Sequence, residues 1–208
     1  MARPWGGWPR VLGVAALASG AALVTHIVSG VSLRLALGLA AGIVGLAVWL
    51  VWRRAVPEGR AVVARRTRVG LGFAATVAYD LARFLLSRWD PSPYDPFEAI
   101  WAFGVRLAGA TAPPGLVYTA GAVFHLVNGL SFGVAFCLLV ARPGVLVGIL
   151  WGFGLELFQL SLYPGWLDIR FYREFVQISV LAHAVYGLAL GLGCRQALGR
   201  AEGRTGRR

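Results

Sequence analysis

The sequence predicts an all-α fold: a polytopic bundle of six transmembrane helices, with one short helix at the outer interface. Hydrophobic residues make up 58% of the 208 residues and charged residues 14%, against roughly 45–50% and about 25% in soluble domains. The apolar residues gather in six stretches, each close to the roughly 20 residues that a bilayer core requires. These observations exclude a soluble globular enzyme, a disordered tail and a coiled coil.

The six stretches define one membrane domain over residues 1–198. The predicted spans are 11–29, 33–52, 69–87, 116–141, 145–163 and 175–198. A basic loop over 53–68 contains Pro57 and separates the second span from the third, and Pro164 is predicted to end the fifth helix within 163–166. The first apolar run is too long for a cleaved signal peptide, so we expect a retained first span.

The arginines predict the orientation of the bundle. All 20 basic residues are arginines, 14 on one predicted side of the membrane and 6 on the other. Because cytoplasmic loops carry the excess of positive charge, we expect both termini in the cytoplasm. Topology thus explains the net charge of +11, and we expect no binding of nucleic acid. The arginine-rich segment Arg195–Arg208, which includes the basic cytoplasmic tail 199–208, is expected to contact anionic lipid of the bilayer.

The longest connection, residues 88–115, is predicted to hold the short outer helix. Asp95 is placed as its N-cap, Pro96 as its first residue and Glu98 as an acidic residue of the first turn. Apolar residues then recur at near-helical spacing, at Ile100, Trp101, Phe103 and Leu107. We expect a helix over 96–108, which either packs on the bundle as a connection or serves as a lid or docking surface.

Ionisable residues inside the predicted spans call for a reason, because each costs about 2.5–3.5 kcal/mol at the bilayer centre. Asp80 and Arg83 lie three residues apart in the third span, a spacing that predicts an intrahelical ion pair. Glu156 in the fifth span has no basic residue on its own helix. It is therefore either protonated or bonded to a neighbouring helix.

The three histidines, His26, His125 and His183, share the pattern His-x-Val-x-Gly. The similarity between the segments that follow His125 and His183 extends over nine residues. The two segments belong to the fourth and sixth spans, which run in the same direction. We therefore predict that spans 3–4 and 5–6 form a duplicated helical pair.

Four ionisable residues from four helices are predicted to share one layer of the membrane. At 1.5 Å per residue, each lies about 10–14 Å below the outer surface. They are Asp80, His125, Glu156 and His183, with Asn128 and Gln159 within about one or two helical turns. This layer forms either a functional polar site or a set of interhelical hydrogen bonds that fix the packing, worth about 0.6 kcal/mol each.

Three classes of function could use such a layer. The first, which we take as the prediction, is binding or translocating a small solute or cation, with the carboxylates and histidines carrying protons or the ion. The second is a cofactor-binding subunit, in which His125 and His183 ligate a haem-like macrocycle or pigment. The third is a structural or assembly subunit that joins other membrane subunits in a complex.

Motifs of enzymatic chemistry are missing from the sequence, so we expect a protein that is not an enzyme. No phosphate loop or nucleotide fingerprint is present, and Cys137 and Cys194 have no metal-ligand or disulfide spacing. The segment 129–133 differs by one residue from the Gly-x-Ser-Gly motif of rhomboid proteases. Its Ser131 also shares a helix with His125, which does not fit a nucleophile and its base.

The second half of the chain resembles a family of bacterial membrane proteins. The segments 121–133, 151–156 and 182–187 place histidine, glutamate and glycine on apolar helices. They resemble small uncharacterised bacterial inner-membrane proteins of the YagU-like kind, over spans 3–6. The resemblance implies a multi-pass protein of the bacterial plasma (inner) membrane and no particular biochemical activity.

Overall fold

In a computed structural model, the chain is an all-α bundle, as the composition predicts. The structure describes residues 8–54, 59–167 and 170–205, and over these it contains eight helices and no strand. The helices are α1 (Trp8–Ala15), α2 (Ala18–Ser29), α3 (Leu33–Arg54), α4 (Gly59–Trp89), α5 (Glu98–Ala108), α6 (Pro114–Leu139), α7 (Val145–Leu167) and α8 (Tyr172–Thr205).

Six segments within the described residues are long and apolar enough to cross a membrane. They are Pro9–Ser29, Leu33–Val51, Arg68–Trp89, Pro114–Leu139, Val145–Leu167 and Tyr172–Ala197. Many of their large apolar side chains are exposed on the outside of the bundle, as is typical of helices surrounded by lipid. The protein is therefore a multi-pass integral membrane protein.

One connection and the C-terminal tail contain more helix than the sequence analysis predicts. Helix α4 begins at Gly59, so most of the predicted loop 53–68 is helical, while Pro57 lies outside the described residues. Helix α8 continues to Thr205 and takes in most of the predicted tail. Residues 206–208 and the side chains of the tail arginines lie outside the described part, and the lipid contact of the tail stays a prediction.

The prediction that Pro164 ends the fifth helix is wrong, because α7 continues through it to Leu167. The proline lacks an N–H group and removes one backbone hydrogen bond. Aromatic contacts hold the last turn in place: the rings of Tyr163 and Trp166 lie 6.0 and 5.8 Å from the ring of Phe103 on α5.

The outer helix α5 begins two residues later than predicted, at Glu98. Asp95 is not its N-cap; the Asp95 carboxylate accepts a hydrogen bond from the Phe97 N–H at 2.8 Å and caps the turn before the helix. The helix packs along α6, where a Cβ atom at Gly121 would overlap the carbonyl oxygen of Ile100. This contact favours a packed connection over a detached lid.

The first span consists of two helices, α1 and α2, separated by a turn at residues 16–17. Glycines seat both helices against α6. A Cβ atom at Gly13 would lie 2.7 Å from the side chain of Leu139, and one at Gly20 would lie 2.6 Å from the ring of Phe132. Helix α2 thereby reaches the polar centre of the bundle.

The core of the bundle consists of two helix pairs, α4–α6 and α7–α8, that pack in the same way. The first helix of each pair presents a glycine, a small residue and a carboxylate at intervals of four, namely Gly72, Thr76 and Asp80 on α4, and Gly148, Gly152 and Glu156 on α7. The second helix presents a histidine and two glycines at the same interval, namely His125, Gly129 and Gly133 on α6, and His183, Gly187 and Gly191 on α8. This correspondence supports the predicted duplicated pair.

The glycines allow close approach of the backbones within each pair. A Cβ atom at Gly133 would lie 2.5 Å from the Cα atom of Gly72, and one at Gly152 would overlap the carbonyl oxygen of His183. Small residues permit such contacts between membrane helices. One or two turns further along each interface, the carboxylate of the first helix meets the histidine of the second.

Candidate functional site

The first histidine–carboxylate pair joins α4 to α6. The Nε2 atom of His125 lies 2.9 Å from Oδ1 of Asp80, and the two side chains are 17% and 25% exposed. The close contact between Gly129 and Thr76, one turn away, sets this distance. The structure thus brings together two of the residues that the sequence places at one depth.

The second pair joins α7 to α8 and is more deeply buried. The Nδ1 atom of His183 lies 2.7 Å from Oε2 of Glu156, and these side chains are 10% and 3% exposed. The hydroxyl of Ser179 donates to the same carboxylate oxygen at 2.8 Å and accepts from the amide of Gln159 at 3.0 Å. Glu156 is therefore bonded to a neighbouring helix, one of the two alternatives that the sequence leaves open.

The geometry around His183 defines which nitrogen carries its proton. Its Nδ1 atom lies 3.0 Å from the carbonyl oxygen of Ser179, which can only accept a hydrogen bond. When Glu156 is ionised, the Nδ1 atom therefore carries a proton and donates to this carbonyl and to Glu156. In the neutral imidazole, Nε2 is then the acceptor that can take up a second proton.

Tyr79 links the two pairs. Its ring centroid lies 4.7 Å from that of His183 and 6.0 Å from that of His125. A third contact joins Tyr79 to Tyr186 at 6.4 Å, and the Tyr186 hydroxyl donates to the carbonyl of Gly129 at 2.7 Å. The two pairs therefore belong to one packed cluster.

A cavity of about 80 Å³ lies between these helices. Since about 10–15 Å³ of such space is enough to hold one water molecule, the cavity has room for several waters or a small ligand. Its polar lining includes Tyr79, Arg83, His125, Asn128, Gln159 and His183. Asn128 also accepts a hydrogen bond from the Ser19 hydroxyl at 2.9 Å, which ties α2 to the site.

The predicted ion pair between Asp80 and Arg83 does not form. Asp80 faces α6 and bonds to His125, whereas the Arg83 side chain extends toward the loop before α5 and donates to the Tyr94 hydroxyl at 3.3 Å. The Arg83 guanidinium lies 5.4 Å from the centroid of the Tyr79 ring. Burial raises the pKa of Tyr94, so its hydroxyl stays protonated and its oxygen can accept from the arginine.

His26 lies apart from the site, although its sequence pattern matches those of the other two histidines. Its Nδ1 atom lies 2.7 Å from the carbonyl oxygen of Val31, and its ring packs edge-on to Trp166 at 5.7 Å. Its pattern corresponds to the end of α2, where Gly30 adopts a φ of 71° and caps the helix. The glycine here ends a helix and takes no part in helix contact.

Several residues of the site were not predicted from sequence. Ser179 is the clearest case, because it lies one turn before His183 and so faces the same way. The i, i+4 spacing of Ser179 and His183 is the signal that could have found it. Tyr79 gives no such signal, since a tyrosine on an apolar helix is usually a packing residue.

The arrangement offers little room for a haem-like macrocycle. Pockets for ligands of drug size span about 300–1,000 Å³, several times the volume of this cavity, and the Tyr79 ring packs against both histidines. Among the described residues, no group of three or more histidine, cysteine, aspartate or glutamate side chains is arranged to hold a metal ion. The site is instead suited to holding protons, water or a small ion.

Comparisons with protein-family models, with curated proteins and with solved structures found no match to this chain. The resemblance to the YagU-like proteins therefore stays a prediction. The fold and the site together define a class: a multi-pass integral membrane protein with a small polar cavity between two similarly packed helix pairs.

Proposed function

We propose that this protein binds or translocates a small solute or cation through its polar intramembrane site, with the two histidine–carboxylate pairs taking up and releasing protons. One observation carries the proposal. Both pairs, from four different helices, contact the same tyrosine, and both histidines line the same cavity.

Each pair can hold a proton in two places. With both nitrogens of the imidazole protonated, the pair consists of two opposite charges; after the shared proton has passed to the carboxyl group, both partners are neutral. The bonded atoms lie 2.9 and 2.7 Å apart, so the proton moves between them along a hydrogen bond. Such pairs suit repeated protonation in a membrane because their total charge stays constant during the internal transfer.

Packing alone does not account for these residues. The glycines already hold the helices together, and an interhelical hydrogen bond contributes only about 0.6 kcal/mol on average. A charged residue at the membrane centre costs about 2.5–3.5 kcal/mol. The difference favours a function for the ionisable groups.

The proposed setting is the bacterial plasma membrane with both termini in the cytoplasm. The arginine distribution supports this orientation through the positive-inside rule, and the YagU-like resemblance supports the membrane. In this orientation the polar site lies in the outer half of the bilayer.

Proton flux into liposomes tests the proposal. The full chain is reconstituted in liposomes that contain chloride salts and a pH-sensitive dye, and an acid pulse is applied outside. We expect faster acidification than in protein-free liposomes. The substitution Glu156→Gln keeps an acceptor for Ser179 but cannot ionise, so we expect it to reduce the flux to the protein-free rate.

The matched control is Glu174→Gln, which makes the same change in the first turn of α8 and outside both pairs. It should leave the flux unchanged. Wild-type flux equal to that of protein-free liposomes, or full flux in Glu156→Gln, would overturn the proposal.

A structural or assembly role is the second candidate, and the glycine contacts between α7 and α8 favour it. It predicts a different result for the same variant. Glu156→Gln would lower the stability of the protein, and the wild-type chain would conduct no protons.

A further inference from the structure

We infer that Arg83 and the cavity beside it form a binding site for a small monovalent anion such as chloride. The inference identifies the small solute that the proposed function leaves open. The claim that this anion is transported rests on that function. It starts from a charge that the described residues leave uncompensated.

Arg83 is a buried cation without a carboxylate partner in the described part of the chain. Arg83 is only 4% exposed, and its Nε atom is buried without a hydrogen-bond partner among the described residues. The bond of Nη2 to the Tyr94 hydroxyl, at 3.3 Å, involves a neutral acceptor. Arginine does not lose its proton in proteins, and an unpaired buried charge is strongly destabilising. An anion bound at this position would compensate the charge.

Among the residues that the structure describes, the neighbouring carboxylates are engaged elsewhere or lie at the surface. Asp80 and Glu156 are bonded to the two histidines. Asp95 and Glu98 border a smaller cavity of about 10 Å³ together with Arg83, but both residues are exposed. Neither forms an ion pair with Arg83 in the described structure.

The larger cavity has the lining that an anion needs. None of the described residues that line it is an aspartate or a glutamate. Besides Arg83, the Asn128 side chain faces it; its oxygen accepts from Ser19, which leaves its NH₂ group as a donor. At about 80 Å³, the cavity can take chloride or nitrate but is too small for gluconate.

The duplicated helix pair shows that packing does not require a charge at this position. Arg83 lies three residues after Asp80, and the equivalent residue after Glu156 is Gln159. Gln159 is neutral and donates a hydrogen bond to Ser179. The arginine thus introduces a charge where the second pair does without one.

Thermal unfolding in a mild non-ionic detergent tests the inference. The wild-type chain is melted in sodium chloride and in sodium gluconate at equal ionic strength, over a range of concentrations. We expect the melting temperature to be higher in chloride by about 2–4 °C at saturation. Identical melting in the two salts would overturn the inference, even if no variant folds.

The variants locate the site. Arg83→Gln should abolish the difference between chloride and gluconate. Arg83→Lys keeps the charge and should retain part of the difference in melting temperature between the two salts. The matched control is Arg88→Gln, an exposed arginine of the same helix that lies over the Phe84 ring at 5.0 Å, and it should melt like the wild type. A full chloride effect in Arg83→Gln would contradict the inference.

A lipid phosphate could supply the same anionic chemistry. A further arm therefore adds phosphatidylglycerol to the gluconate samples, and stabilisation by this lipid without stabilisation by chloride would overturn the small-anion site. The flux experiment separates the two proposals. Flux that depends on Glu156 together with identical melting in both salts would refute the anion site alone, whereas chloride binding without proton flux would refute proton uptake by the two pairs and would leave the anion site supported.

Discussion

Oε2 of Glu156 and Nδ1 of His183 lie 2.7 Å apart because the two helices that carry them touch backbone to backbone one turn away. A Cβ atom at Gly152 would overlap the carbonyl oxygen of His183 itself. The buried pair and the glycine contact are therefore parts of one arrangement, and a substitution in either should disturb the other.

Gly152→Ala should destabilise the protein. The added methyl group meets backbone, which cannot move away as a side chain can, and such overpacking costs about 1–3 kcal/mol. Thermal unfolding in detergent measures the effect. The matched control is Gly154→Ala on the same helix, where the added Cβ atom meets open space; that variant should be as stable as the wild type or slightly more so. Equal stability of the two variants would contradict the close contact between α7 and α8.

Ser179→Ala should also destabilise the protein, by about 1–3 kcal/mol. The change removes the donor to Glu156 and leaves the amide of Gln159 without its acceptor. Ser161→Ala provides the control, because Ser161 is exposed and bonds only to the carbonyl of Leu157 on its own helix. Thermal unfolding in which Ser161→Ala is the more damaging change would be inconsistent with the described hydrogen bonds.

The two acidic residues should differ in their contribution to stability. Glu156 is 3% exposed and Asp80 is 25% exposed. Removing one partner of a buried pair costs about 3–5 kcal/mol, because the other charge stays buried without a partner, and the cost is smaller where the pair is less buried. We therefore expect Glu156→Ala to lower the free energy of unfolding more than Asp80→Ala does, in denaturant titrations of the two variants. The reverse order would mean that the burial of the two pairs is misassigned.

Cys137 on α6 and Cys194 on α8 should cross-link within one chain. Both are free, and their sulfur atoms lie 2.7 Å apart. Mild oxidation by a copper complex removes the two thiol protons and two electrons and forms the disulfide. Labelling of the denatured chain with a maleimide polymer should then fall from two additions to none, without dimer formation. Two remaining additions would argue against this register of α6 and α8.

The sequence predicts the six spans well and indicates which ionisable residues lie close together, because both depend on properties that add up along the chain. Hydropathy locates each helix, and a rise of 1.5 Å per residue places Asp80, His125, Glu156 and His183 at one level. The structure joins these four as two pairs across two interfaces. Composition and periodicity were sufficient for this part.

The sequence does not predict which neighbour each side chain faces, because this depends on the rotation of the helices in the bundle. The spacing of Asp80 and Arg83 permits an ion pair. Instead, Asp80 bonds to His125 on α6, and Arg83 donates to Tyr94 in the loop before α5. Pro164 is a similar case, since a local rule for helix ends is overridden by the aromatic contacts of its neighbours.

Proton flux in a double variant tests the central claim most directly. Asp80→Asn combined with Glu156→Gln removes the ionisable carboxyl group from both pairs and leaves the glycine contacts in place. We expect liposomes with this variant to acidify no faster than protein-free liposomes, while the wild-type chain conducts protons. Equal flux in the double variant and the wild type would contradict a proton-carrying role for the two histidine–carboxylate pairs.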